Sequence, residues 1–182
     1  MQVIPLSPAQ RQKRQHIAAK VKSLQEAGAC PTCASMRGED VYPPADARLF
    51  YEDEHCLCLL EQYPRNPGHT IVLLKEHRED LAALDPQTAA ALWPVVHRAV
   101  AALKTRFGAD KVYMCTMCDG RRNHLHLQLI PRLPGDPVRG SRLFVKERGF
   151  LKECARDIAE LGSLMNGPGV QTPAYDTAPQ GA

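Results

Sequence analysis

The 182-residue sequence has no long apolar run, no marked excess of either charge sign and no internal repeat. The first absence bears on location. Met1 to Lys22 carries Arg11, Lys13, Arg14, Lys20 and Lys22 around short apolar pieces, which predicts neither a secretory signal nor a membrane anchor and therefore a cytoplasmic chain. The second bears on partners: 23 Lys and Arg against 20 Asp and Glu leave an excess of three, too small to draw nucleic acid by bulk charge. Without an export signal, the seven cysteines, an odd number, suit thiols or metal ligands better than a disulfide framework.

What is present divides into three parts, an N-terminal helix over 1–29, a main domain over 30–164 and a disordered tail over 165–182. Ser7 as N-cap and Pro8 at the first turn open a helix over 8–27, with Ile17, Val21 and Leu24 on one stripe. Cys30 to Pro44 reads as irregular. Three β-like runs follow at Arg48 to Glu52, Cys56 to Glu61 and Thr70 to Leu74, the last two joined by the turn Tyr63-Pro64-Arg65-Asn66-Pro67-Gly68. A short helical connector from Glu76 to Leu84 leads to a long helix, Pro86 to Phe107, which Pro94 should bend and Gly108 should end. Lys111 to Cys118 and Asn123 to Pro131 read as paired strands, and Leu151 to Leu164 as a C-terminal helix. The tail is rich in Gly, Pro, Thr and Ala without periodicity. Strands, then a helix, then strands predict an α+β domain with one antiparallel sheet, its long helix covering one face.

The segment Asn123-His124-Leu125-His126-Leu127-Gln128-Leu129-Ile130-Pro131-Arg132 carries the chemistry. Period-two alternation puts His124, His126 and Gln128 on one wall and the leucines on the other. Two imidazoles on one wall can attack a phosphorus or hold a metal. Cys30-Pro31-Thr32-Cys33 is half of a tetrahedral zinc site. Its completion is open among Cys115 with Cys118, His77 with His124, or nothing at all. Cys115 and Cys118 sit three apart in an expected strand and so face opposite ways, which weakens the all-cysteine option. His69 after Gly68 anchors a turn through its ring, while Cys56 and Cys58 share one strand face as small core residues.

These residues resemble the histidine triad superfamily of nucleotidyl hydrolases and transferases, whose signature is His-x-His-x-His before two apolar residues. The resemblance extends to Tyr51-Glu52-Asp53-Glu54 and to Pro67-Gly68-His69-Thr70-Ile71-Val72-Leu73-Leu74-Lys75-Glu76-His77, covering about residues 30 to 132. It implies that His126 is the nucleophile, forming a nucleotidyl-histidine while its other ring nitrogen donates to a fixed acceptor. It also implies a structural zinc ion on Cys30, Cys33, His77 and His124, a nucleotide, nucleotide-sugar or dinucleoside polyphosphate substrate, a homodimer, and a base pocket near Phe50, Tyr51 and Leu59.

The chain departs from that pattern twice. Gln128 stands where the third histidine would be, as in the galactose-1-phosphate uridylyltransferase and diadenosine tetraphosphate phosphorylase branches. It can orient a phosphoryl oxygen as part of the catalytic pair with His126, but it cannot deliver a proton. The loop Asp119-Gly120-Arg121-Arg122-Asn123 lacks the usual Gly-Gln-Ser/Thr segment, so Arg121, Arg122 and Asn123 become the candidate phosphate contacts. Arg139, Arg142 and Lys146 are further candidates on the C-terminal side. Two rival classes stand beside the enzyme: a zinc-stabilised nucleotide-binding interaction protein with little catalysis, and a zinc-dependent hydrolase with an open metal position.

Overall fold

A computed structural model describes residues 1–117 and 120–167. Five antiparallel strands, β2 (Leu49–Glu52), β3 (Cys56–Leu60), β4 (Thr70–Leu74), β5 (Lys111–Cys115) and β6 (His126–Arg132), form one sheet in the order β2-β3-β4-β6-β5. Alternation sets which way each strand faces. Cys56, Cys58 and Leu60 of β3 and Val72 and Leu74 of β4 are buried against the helices, whereas Leu57, Leu59, Ile71 and Leu73 are half-buried on the opposite face. That opposite face carries His126 and Gln128, because β6 pairs His126 with Leu73 and Gln128 with Ile71.

The covering helix α3 (Pro86–Phe107) is bounded by chemistry readable in its sequence. The Asp85 carboxylate accepts from the Thr88 amide at 2.8 Å, Pro86 opens the first turn, and Gly108 at φ +62° ends it in the left-handed region. The helix runs unbroken through Pro94, which is exposed, so the carbonyl freed by the missing N–H faces water. Leu92, Val95, Val96, Ala99, Ala102 and Leu103 bury its inner face. Beside it lies α5 (Ala155–Asn166), where fully buried Asp157 meets Arg106 of α3 at 2.6 Å and the Met1 amine at 2.6 Å.

Several boundaries differ from the sequence reading, each for a local reason. Cys30 acts as N-cap of a short helix, α2 (Pro31–Met36), in the stretch read as irregular. The N-terminal part begins not with the helix α1 (Pro8–Glu26) but with β1 (Gln2–Ile4), which pairs with β7 (Phe150–Lys152) as a separate two-stranded ribbon. The C-terminal helix therefore starts at Ala155 instead of Leu151. A single helical turn, α4 (Arg142–Val145), precedes β7, and the connector after β4 holds only a 3-10 turn at Leu81–Ala83. β5 ends at Cys115 and β6 begins at His126, so His124 precedes the motif strand and does not lie on it. Cys118 and the tail beyond Gly167 lie outside the described residues.

Gly68 closes the turn that delivers β4. At φ +78° it occupies backbone space that suits glycine, and a Cβ there would stand 2.8 Å from the Phe107 ring and 3.0 Å from Pro131. Gly68→Ala is expected to cost roughly 1–3 kcal/mol by urea unfolding. An unchanged midpoint would show that the turn is not strained by a side chain.

Candidate active site and metal centre

His124, in the chain just before β6, is buried. Its Nε2–H donates to the Leu74 carbonyl at 2.8 Å, which leaves Nδ1 with a lone pair pointing at the cysteines. Burial holds the His124 pKa below the ordinary imidazole value, favouring the neutral, coordinating ring. Cys30 Sγ lies 3.6 Å from His124 Nδ1, and Cys33 Sγ lies 3.4 Å from both His124 Nδ1 and His77 Nδ1. All four donor atoms fall within 4.8 Å of one another. A tetrahedral zinc with bonds of about 2.3 Å to sulfur and about 2.0 Å to nitrogen would separate those donors by about 3.6 Å. The four side chains fit such an ion.

Of the three completions left open by the sequence, the structure brings together the two-cysteine, two-histidine grouping, which could hold a metal ion. Cys115 faces elsewhere, paired across from Gln128 on the open face of the sheet. Burial and the neighbouring Cys30 thiol push the Cys33 thiol up to about 11, so a bound cation would be what stabilises its thiolate. Cys56 and Cys58 are fully buried in the core, and burial raises both thiols, which removes them as nucleophiles.

His126 is half-buried on the open face. Its Nδ1 lies 3.0 Å from the His124 carbonyl, and since a carbonyl only accepts, the ring nitrogen donates there. The neutral ring then keeps its lone pair on Nε2. Two residues along, Gln128 is 5% exposed, with Oε1 3.2 Å from His69 Nε2. His69 Nδ1 in turn accepts the Arg65 amide at 3.2 Å, closing the turn before β4. The sequence marked His69 only as a turn anchor. Its contact with Gln128 depends on the register Thr70 to Leu129, which no local pattern displays.

Burial lowers the His69 pKa from 6.5 to about 4. An unfolded chain therefore takes up a proton between those values that the folded chain refuses. Stability is complete above about pH 6.5 and declines by roughly 3 kcal/mol as pH falls to about 4. Urea unfolding across this range should show the decline flattened in His69→Gln, whose side chain does not titrate. An equal slope in both proteins would refute the assignment.

The loop residues are placed less tightly. Arg122 is exposed and pairs with Glu79 at 3.0 Å, while its carbonyl accepts from Gln25 of α1. Arg121 is exposed, and Asn123 Oδ1 accepts the Gly120 amide at 2.9 Å. Of the expected base-pocket residues, Leu59 lies on the open face. Phe50 and Tyr51 do not: a register shift between Leu49 and Tyr51 buries both in the helix-side core, and Arg98 of α3 holds the Tyr51 hydroxyl at 2.6 Å. Lys146 is bound to Asn66 Oδ1 at 2.5 Å, a structural link from the C-terminal segment to the β3–β4 turn.

A sequence model of the HIT domain matches residues 43–135. The chain belongs to the HIT family. An HIT-like protein of Methanocaldococcus jannaschii is 35% identical over 112 residues, spanning 59% of this chain and 81% of that protein. The adenylylsulfatase HINT3 of Arabidopsis thaliana is 28% identical over 148 residues, 75% of this chain and 73% of that one. Among solved structures, a zinc-bound histidine triad family protein from Mycobacterium smegmatis superimposes with a TM-score of 0.57 at 26% identity, covering 75% of this chain and 92% of that chain. The α+β architecture with its five-stranded sheet is the HIT fold. α1 and α2, with the cysteine pair, lie ahead of the matched HIT segment. No described helix is long and apolar enough to cross a membrane.

Proposed function

We propose that this HIT protein is a nucleotidyl hydrolase or transferase acting on a nucleoside phosphate through a covalent nucleotidyl-His126. The carrying observation is the His126 ring, pinned through Nδ1 to the His124 carbonyl at 3.0 Å on the open face of the sheet. In the step proposed, the Nε2 lone pair forms a bond to the α-phosphorus as the bond to the leaving oxygen breaks, and that oxygen departs with the electron pair. The ring's gained positive charge is shared with the His124 carbonyl. Water or a phosphate acceptor then attacks the phosphorus and releases His126.

Gln128 narrows the substrate. Because an amide cannot protonate a leaving group, the reading favours groups that leave as stable anions, such as sulfate, phosphate or a sugar phosphate. Similarity to an adenylylsulfatase supports that class. Arg121, Arg122 and Asn123 are proposed as phosphate contacts from the loop above the strand. Cys30, Cys33, His77 and His124 are proposed to hold a structural zinc ion with all four positions filled by protein, which leaves the phosphorus chemistry to His126. A homodimer is proposed with the family, and light scattering that gives a monomer would remove it.

The test is direct. The protein is mixed with adenylyl sulfate, quenched in base, and weighed intact. A mass increase of one adenylyl group, stable in base and lost in acid as a phosphorus–nitrogen bond requires, is expected. Turnover without any such adduct on a rapid-quench timescale would overturn the covalent route.

A further inference from the structure

A glutamine side chain has one oxygen that only accepts and one NH2 that only donates, and a half-turn about its last bond exchanges them. In this chain the half-turn is opposed. The Arg65 amide donates to His69 Nδ1 at 3.2 Å, so the neutral ring carries its proton on Nε2. That proton has Gln128 Oε1 as its acceptor at 3.2 Å. His69 is 1% exposed and Gln128 5%, so reversing the amide would set two donors against each other where water does not reach to compensate them. Among the described residues, Gln128 Nε2 makes no hydrogen bond of its own.

We infer that His69 is a positioning residue that locks the Gln128 amide, so that its NH2 is presented on the open face beside His126 as a fixed hydrogen-bond donor to a phosphoryl oxygen. The order of control runs from the Arg65 backbone to the His69 tautomer, then to the Gln128 orientation and the ligand. A histidine at 128 would change character with pH, whereas this amide donates at every pH at which His69 stays neutral. The inference rests on the proposed function only for the ligand being a phosphate ester; the tautomer and the amide orientation stand on the contacts alone.

Two measurements on the full-length protein test it. Long-range nitrogen–proton NMR should show His69 as the Nε2–H tautomer, with Nδ1 in the acceptor range; an Nδ1–H tautomer would overturn the relay whatever the protein's activity. Adenosine 5′-monophosphate is then titrated by calorimetry. Gln128→Glu keeps an acceptor for His69 but loses the donor, so affinity should fall roughly 10- to 100-fold. His69→Phe should lose roughly 10-fold, and His69→Gln, whose Nε2 can donate to the same oxygen, should recover most of it. Equal affinity for Gln128→Glu and the parent would overturn the donor role. Failure of the parent to bind this nucleotide, with the tautomer as expected, would count against the proposed function and leave the relay standing.

Discussion

Replacing His126 with alanine is expected to lower turnover by on the order of 10⁴-fold with little loss of stability or metal. The size follows from what the residue supplies. In the proposed step His126 Nε2 supplies the nucleophile while Nδ1, held by the His124 carbonyl at 3.0 Å, orients the ring, and among the described residues no neighbouring side chain can replace it. Gln128 is not nucleophilic, the Cys115 thiol is made less acidic by burial, and His124 has its Nε2 on Leu74 and its Nδ1 toward the cysteines. Because His126 is only half-buried, its truncation leaves no large cavity. Single-turnover assays with adenylyl sulfate, read beside thermal unfolding, separate the two effects. Full turnover by a folded His126→Ala protein would remove this residue as the nucleophile.

Removing a proposed zinc ligand should have the larger structural effect. Cys30→Ser or Cys33→Ser is expected to abolish zinc binding and to lower the melting temperature by about 10 °C, equivalent to at least about 3 kcal/mol in a chain of this size. The ligands come from the start of α2, from the segment after β4 and from the residue two before His126, so one ion would hold three parts of the chain together. Turnover should fall as well, by roughly 10- to 100-fold, because the carbonyl that orients His126 belongs to His124 itself. Metal analysis, calorimetry and the same assay on one preparation check this. A serine variant that retains zinc and the parent melting temperature would refute it.

The elements legible from sequence are those whose signals are local. Asp85-Pro86 and Gly108 bracket α3 because capping and the left-handed end depend on single residues, and β3 and β4 announce their faces through five residues of alternation. β1 and β7, three residues each, are too short for a period and exist because they pair with each other across the chain. From spacing the metal grouping is readable only as a choice among completions, since Cys30-x-x-Cys33 says nothing of what approaches from elsewhere; the family resemblance is what points to His77 and His124. Phe50 and Tyr51 mislead because the register shift in β2 breaks the alternation that assigns faces. The contact from His69 to Gln128 spans 59 residues and is set by strand register, so neither residue's neighbours reveal it.

The proposed metal site would also bear on how the chain reaches its native state. Cys33 stands 44 positions from His77 and 91 from His124, so the sulfur and nitrogen donors meet only after long loops have closed. The entropy of closing such loops must be met before strand pairing returns any energy, and that ordering slows folding of sheets built from distant segments. An ion gripping these donors early would fix the loop ends within a few ångströms and shorten the search for the β4–β6 register. Metal supply during synthesis would then set the rate at which active protein accumulates, separately from any effect on the finished molecule.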